Sequence, residues 1–184
     1  MKNQFSKVVK HLEKSECFFA QREGDSVYIT NGFILIKIPV YVYDFQIRPL
    51  SGQFIEIKDG EKVSRSSNDP FCRVDETGRN IKQILEYIKT DVEMIKSDFL
   101  VEIPAKTNSK KLIKERLFFT GNTVAGVNEM FVDMFSEIVT RSWCGDGKNI
   151  SPIVWKSDSE DIIIAMMPLR LEKKIFEVWK DVSI

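Results

Sequence analysis

One histidine, three cysteines and no net charge set the first limits on this chain. With His11 as the sole imidazole, there is little room for a Ser-His-Asp or Cys-His catalytic arrangement. Cys17, Cys72 and Cys144 are widely spaced and form no Cys-x-x-Cys, which argues against a disulfide framework or a zinc knuckle. The pattern fits reduced thiols. Lys plus Arg number 27 and Asp plus Glu number 27, so the chain is no simple polycation that coats nucleic acid; only a local basic face could serve that end. No apolar segment of a signal peptide follows Met1-Lys2-Asn3-Gln4-Phe5. The longest apolar run, Ile162 to Leu169, falls far short of the about 20 residues that cross a bilayer. The expectation is a cytoplasmic protein with no membrane partner.

Recognisable catalytic and ligand motifs are scarce too. Cys144-Gly145-Asp146-Gly147-Lys148 lacks the spacing of a phosphate loop, and Asn149 stands where Ser or Thr would bind magnesium. A plain turn is the better reading. Asp158, Glu160 and Asp161 supply too few oxygen ligands at set intervals for a calcium loop and read as a solvated hairpin tip. His11, beside Lys10 on an amphipathic helix, reads as a solvent-facing polar residue. No catalytic residue, metal or cofactor is expected, and the chain is read as a non-enzyme.

What is present suits a folded domain: 184 residues, 43% apolar and 29% charged. Phe5, Val8, Val9 and Leu12 make one helical stripe in the segment from Asn3 to Ser15, with Lys7, Lys10 and Lys14 on the other face. A strand-rich block follows, with Asn31-Gly32 as a strong hairpin signal. Phe33 to Ile38, Tyr41 to Tyr43 and Phe54 to Ile57 read as strands, and Asp59 to Asn68 as a loop. A second helix is expected within Gly78 to Thr90, on Ile81, Ile84, Leu85 and Ile88. Phe99 to Ile103 reads as a strand, and Leu117 to Phe119 with Thr123 to Ala125 as a hairpin. A third helix from about Asn128 to Val139 carries an acidic outer face of Glu129, Asp133 and Glu137. Ser142 to Ser151 reads as a connection, and Ile153 to Trp155 with Ile162 to Ala165 as the last strands. Strands and helices do not alternate regularly, so the fold class is α+β with mostly antiparallel sheets and two to three amphipathic helices on one side.

Met167-Pro168-Leu169-Arg170-Leu171, after the apolar strand Ile162 to Met166, resembles the Met-Pro-x-Arg-Leu end of the bacterial DNA polymerase III β sliding clamp family. Gly126 to Phe135 resembles that family's passage from strand to helix, and Ser151-Pro152-Ile153-Val154 the strand before its last hairpin. Tyr28 to Leu35 resembles an early hairpin of the family less closely. The resemblance spans about 118–171 well and 16–38 weakly; residues 40–97 find no counterpart.

The resemblance implies a DNA-clamp-like single domain over 1–171, with an insertion at about 40–97 and an extension at 172–184. It implies a non-catalytic role in DNA replication or repair, tethering polymerase-type partners. Helices of such domains face DNA phosphates without reading sequence, which would make Lys7, Lys10 and Lys14 the contacts to double-stranded DNA. The alternative is the solvated face of an ordinary helix. The family also captures peptides in an apolar pocket, which points to Met167, Pro168, Leu169 and Arg170; the alternative is core packing of the last strand. A ring would need several copies, hence a homo-oligomer. Two departures stand against this. The third helix is acidic where a DNA-facing wall should be basic. The chain also continues past Leu171 with Ile175, Phe176, Val178 and Trp179, which could cover the pocket or reach a neighbouring subunit. A second reading keeps the fold as a protein-interaction or assembly module that binds no DNA.

Overall fold

The computed structural model describes residues 3–66, 69–75, 78, 80–105, 110–120, 123–138, 143–148, 151–159 and 161–168. Among these residues the fold is α+β: one antiparallel sheet of eleven strands and four short helices. The first half holds α1 (Ser6–Lys14), β1 (Phe18–Glu23), β2 (Ser26–Thr30), β3 (Ile34–Pro39), α2 (Val40–Val42), β4 (Lys62–Ser66), β5 (Asp69–Val74) and α3 (Ile81–Glu86). The second holds β6 (Val92–Pro104), β7 (Leu112–Thr120), β8 (Thr123–Asn128), α4 (Glu129–Phe135), β9 (Trp143–Gly145), β10 (Ile153–Lys156) and β11 (Ile163–Met166).

The strand order is β5-β4-β1-β2-β3-β11-β10-β9-β6-β7-β8. At its centre β3 pairs with β11, Ile36 opposite Ile164. Outward from this seam the order repeats itself. α1 precedes the meander β1-β2-β3, and α4 precedes the meander β9-β10-β11. Strand β4 flanks the first meander and β6 the second. The two halves are thus related by an approximate two-fold arrangement of topology.

Strand alternation sends side chains to two cores. Val27, Ile29, Ile36, Trp155 and Ile164 join one large cluster with Val8, Val9 and Leu12 of α1 and Phe131, Val132 and Phe135 of α4. Tyr28, Leu35, Val154 and Ala165 face the other way and pack with Ile81 in a smaller cluster that includes Leu85 and Ile88. So α1 and α4 share one face of the sheet, and α3 covers part of the other.

The α1 stripe is as expected: Phe5, Val8, Val9 and Leu12 are buried. Asn31-Gly32 turns β2 into β3, with Gly32 at φ 88° in the left-handed region that glycine adopts freely. Several expectations fail. Tyr41 to Tyr43 is helical, and the turn continues as a π-helix over Tyr43–Ile47 and a 3-10 turn over Arg48–Leu50. Tyr43 and Ile47, four apart, both bury against the α1-side core, and the tyrosine hydroxyl donates to the Ile55 carbonyl at 2.8 Å. Phe54 to Ile57 therefore packs as irregular chain, its rings and branches used as a plug rather than a ladder.

The polar stretch expected to be a loop contains β4. Its inward positions are Val63 and Arg65, and the arginine looks like a loop residue until its partners are known. Ser142 to Ser151 likewise contains β9, whose Trp143 stacks on Trp155 with centroids 4.0 Å apart. The second and third helices are shorter than expected, and Val139 lies outside the described residues. Residues 40–97, expected as an insertion, supply the plug, β4, β5 and α3. The 172–184 extension lies outside the described residues.

Candidate functional site

Lys7, Lys10 and Lys14 all lie exposed on α1, opposite its buried stripe. The helix beneath them is held firmly. Asn3 Oδ1 accepts from the Phe5 amide at 2.9 Å, and Ser6 Oγ donates to the Asn3 carbonyl at 2.7 Å. At the far end Arg65 Nη2 donates to the carbonyls of Leu12 at 2.8 Å and Ser15 at 2.7 Å. The Leu12 carbonyl also accepts the Ser15 amide at 3.1 Å, and the cation complements the negative end of the helix dipole. The Arg65 guanidinium also lies 5.2 Å from the centroid of the Phe18 ring.

His11 is not the solvent-facing residue expected. It is half-buried, its ring set edge-on to that of Phe131 of α4 with centroids 5.1 Å apart, and its Nε2 sits 3.0 Å from Asn31 Nδ2. Asn31 Oδ1 accepts from the amides of Phe33 and Ile34, so Nδ2 is the donor, to Ser15 Oγ and to His11. His11 therefore accepts at Nε2 and is neutral; burial lowers its pKa. It joins α1, α4 and the β2–β3 turn.

The acidic face of α4 is smaller than its sequence implies. Arg116 of β7 forks onto Glu129, with Nε donating to Oε2 at 2.8 Å and Nη2 to Oε1. Its Nη1 donates to the Ser97 carbonyl of β6 at 3.1 Å. Asp133 and Glu137 remain exposed, beside an exposed Met130. The α1–α4 face thus presents three lysines from α1, and two carboxylates from α4 and the turn that follows it.

On the opposite face α3 stands over β2, β3, β10 and β11 and forms a groove. Asn80 Oδ1 caps α3 by accepting from the Gln83 amide at 3.1 Å. Gln21 Oε1 of β1 accepts from the Ile81 amide at 2.9 Å, and Lys82 pairs with Glu23 at 3.1 Å. At one end lies an apolar cavity of about 400 Å³, lined by Ile81 and Ile84 of α3 and Ile88 just beyond it, against Leu35, Ala165 and Met167. At the other end a cavity of about 280 Å³ is lined by Tyr28, Lys37, Lys82 and Lys156. Ile88 borders both.

Of the residues expected to form a peptide pocket, Met167 lines the apolar cavity and is 44% exposed. Its amide donates to the Phe33 carbonyl at 2.9 Å, which ties the end of β11 to the β2–β3 turn. Pro168 follows, half-buried. Leu169 and Arg170 lie outside the described residues. The sequence reading missed the α3 wall and the lysine end. Lys37, set inside Ile34-Leu35-Ile36-Lys37-Ile38, was the available signal: a charge in an apolar central strand marks a side chain that needs an outlet. Among the described residues no His/Cys/Asp/Glu group could hold a metal ion, and no helix is long and apolar enough to cross a membrane. No protein-family model matches the chain, and no curated protein matches its sequence.

Proposed function

We propose that this chain is a non-catalytic, clamp-like tether of DNA replication or repair. It holds a polymerase-type partner by a peptide seated in the α3 groove and touches duplex phosphates through α1. One observation carries the reading: two helix-plus-meander halves meet at the β3–β11 seam, both helices on one face and the groove on the other. That division of labour suits a protein that grips on both sides. The resemblance of Met167 to Leu171 to the clamp family's terminal motif supports it from the sequence. Several copies would be needed to surround a duplex.

Lys7, Lys10 and Lys14 provide the test. Three phosphate contacts per chain give log K a slope of about −2.7 against log salt. The Lys7→Glu, Lys10→Glu, Lys14→Glu triple variant should remove measurable binding to a random-sequence duplex while circular dichroism stays unchanged. Salt-independent binding, or binding that survives the triple variant, refutes the phosphate contacts. Solution mass tests encirclement, since a stable monomer cannot close around DNA.

A second reading rests on Met130 and Asp133 of α4 and Glu137 in the turn after it, all exposed. It makes the domain a protein-interaction or assembly module. In that case the triple lysine variant leaves partner binding untouched.

A further inference from the structure

The groove beside α3 carries charge as well as apolar surface, and the charge selects its occupant. Across the sheet Tyr28 pairs with Lys37, Lys37 with Ile163, and Ile163 with Lys156. These residues form one row on the α3 face, with two lysines either side of Ile163. Both lysines are half-buried, and neither has an ion pair among the described residues. Lys82 is different: Glu23 holds it at 3.1 Å and Glu86 lies 3.9 Å away. Asp25, Asp44 and Asp161 line a neighbouring cavity that shares Lys37, and Glu86 lines the same cavity as both lysines, but among the described residues none of the four pairs with Lys37 or Lys156. A half-buried ammonium with no carboxylate in direct contact favours an incoming anion.

Met167, at the apolar end, is four residues along from Ile163. In extended chain that is about 13 Å, the reach of four residues of a strand-like peptide. We propose that the groove takes an extended peptide bearing a large apolar side chain and a carboxylate three or four residues apart. The apolar group enters beside Ile84 and Met167, and the carboxylate sits between Lys37 and Lys156. This rests on the reading of the groove as a peptide site and adds the acidic requirement.

The test pans a library of random displayed dodecapeptides on the full chain, on a Lys37→Gln/Lys156→Gln variant and on Ile84→Asp. Ile84 is 41% exposed, so its replacement spares the core. The wild-type chain should enrich peptides with Asp or Glu three or four residues from an apolar pair. The double lysine variant should enrich apolar peptides without the acid, and Ile84→Asp should enrich none. By fluorescence anisotropy, changing the acid of an enriched peptide to its amide should weaken binding about 5- to 10-fold for wild type and leave the double variant unchanged. Enrichment without acidic bias overturns this inference and leaves the peptide groove standing. No enrichment on the wild-type chain overturns both. A wild-type mass of two chains that falls to one in Ile84→Asp assigns the groove to a second copy, and overturns the proposal as well.

Discussion

Glu115 is fully buried on β7, opposite Val101 on β6 and Asn128 on β8, and neither carboxylate oxygen has a hydrogen-bond partner among the described residues. Burial raises its pKa to about 7. The folded state therefore holds this proton where the unfolded chain has released it. Stability contributed by the neutral form is complete below about pH 4.5 and is lost as pH rises to about 7. Glu115→Gln should be more stable than wild type by ~1–3 kcal/mol at pH 8 and should lose that advantage at pH 4.5. Urea melts at the two pH values measure it, and an equal difference at both would refute a buried titrating carboxyl. No sequence pattern announces this residue, because Lys114-Glu115-Arg116 reads as a solvated charge run. Register alone decides that the middle one turns inward.

At the scale of elements, the helices depend on a few cross-sheet ties. Arg116 binds the first turn of α4 to β6 and β7, and the side chains of Arg116 and Glu129 are only 14% and 13% exposed. Arg116→Ala would strand the Glu129 carboxylate and the Ser97 carbonyl, at a cost of ~2–4 kcal/mol. The Arg116→Ala/Glu129→Ala double variant should lose less than the single one. Denaturant midpoints decide, and simple additivity would mean that the fork is worth nothing. The same level shows what was readable in advance. α1, α4 and the last hairpin followed from period, since their stripes and alternating residues meet the core that burial predicts. β4 was missed because Arg65, its second inward residue, is satisfied by carbonyls of α1, more than forty residues away in sequence. Tyr41 to Tyr43 and Phe54 to Ile57 had strand composition but pair with no edge among the described residues. In the groove, Met167 was anticipated, whereas Ile84, Lys37 and Lys156 converge through tertiary packing that no local window contains.

For the whole molecule the seam matters most. β3 and β11 join the two halves of the sheet, with Ile36 and Ile164 both fully buried there. Ile164→Ala should cost ~2–5 kcal/mol. Because Ile164 also sits opposite Trp155, tryptophan fluorescence and far-ultraviolet circular dichroism should shift together in urea. Separated transitions would show that the halves unfold on their own.

Joining the halves at this place imposes an order on synthesis. Strand β3 leaves the ribosome early, but its outer neighbour is made about 130 residues later, roughly 7–26 s at ordinary translation speeds. Throughout that interval a nearly continuous apolar edge, Ile34-Leu35-Ile36, waits for a mate. Stalled or prematurely terminated chains would carry that edge permanently, and the cell's holdase chaperones would meet them first.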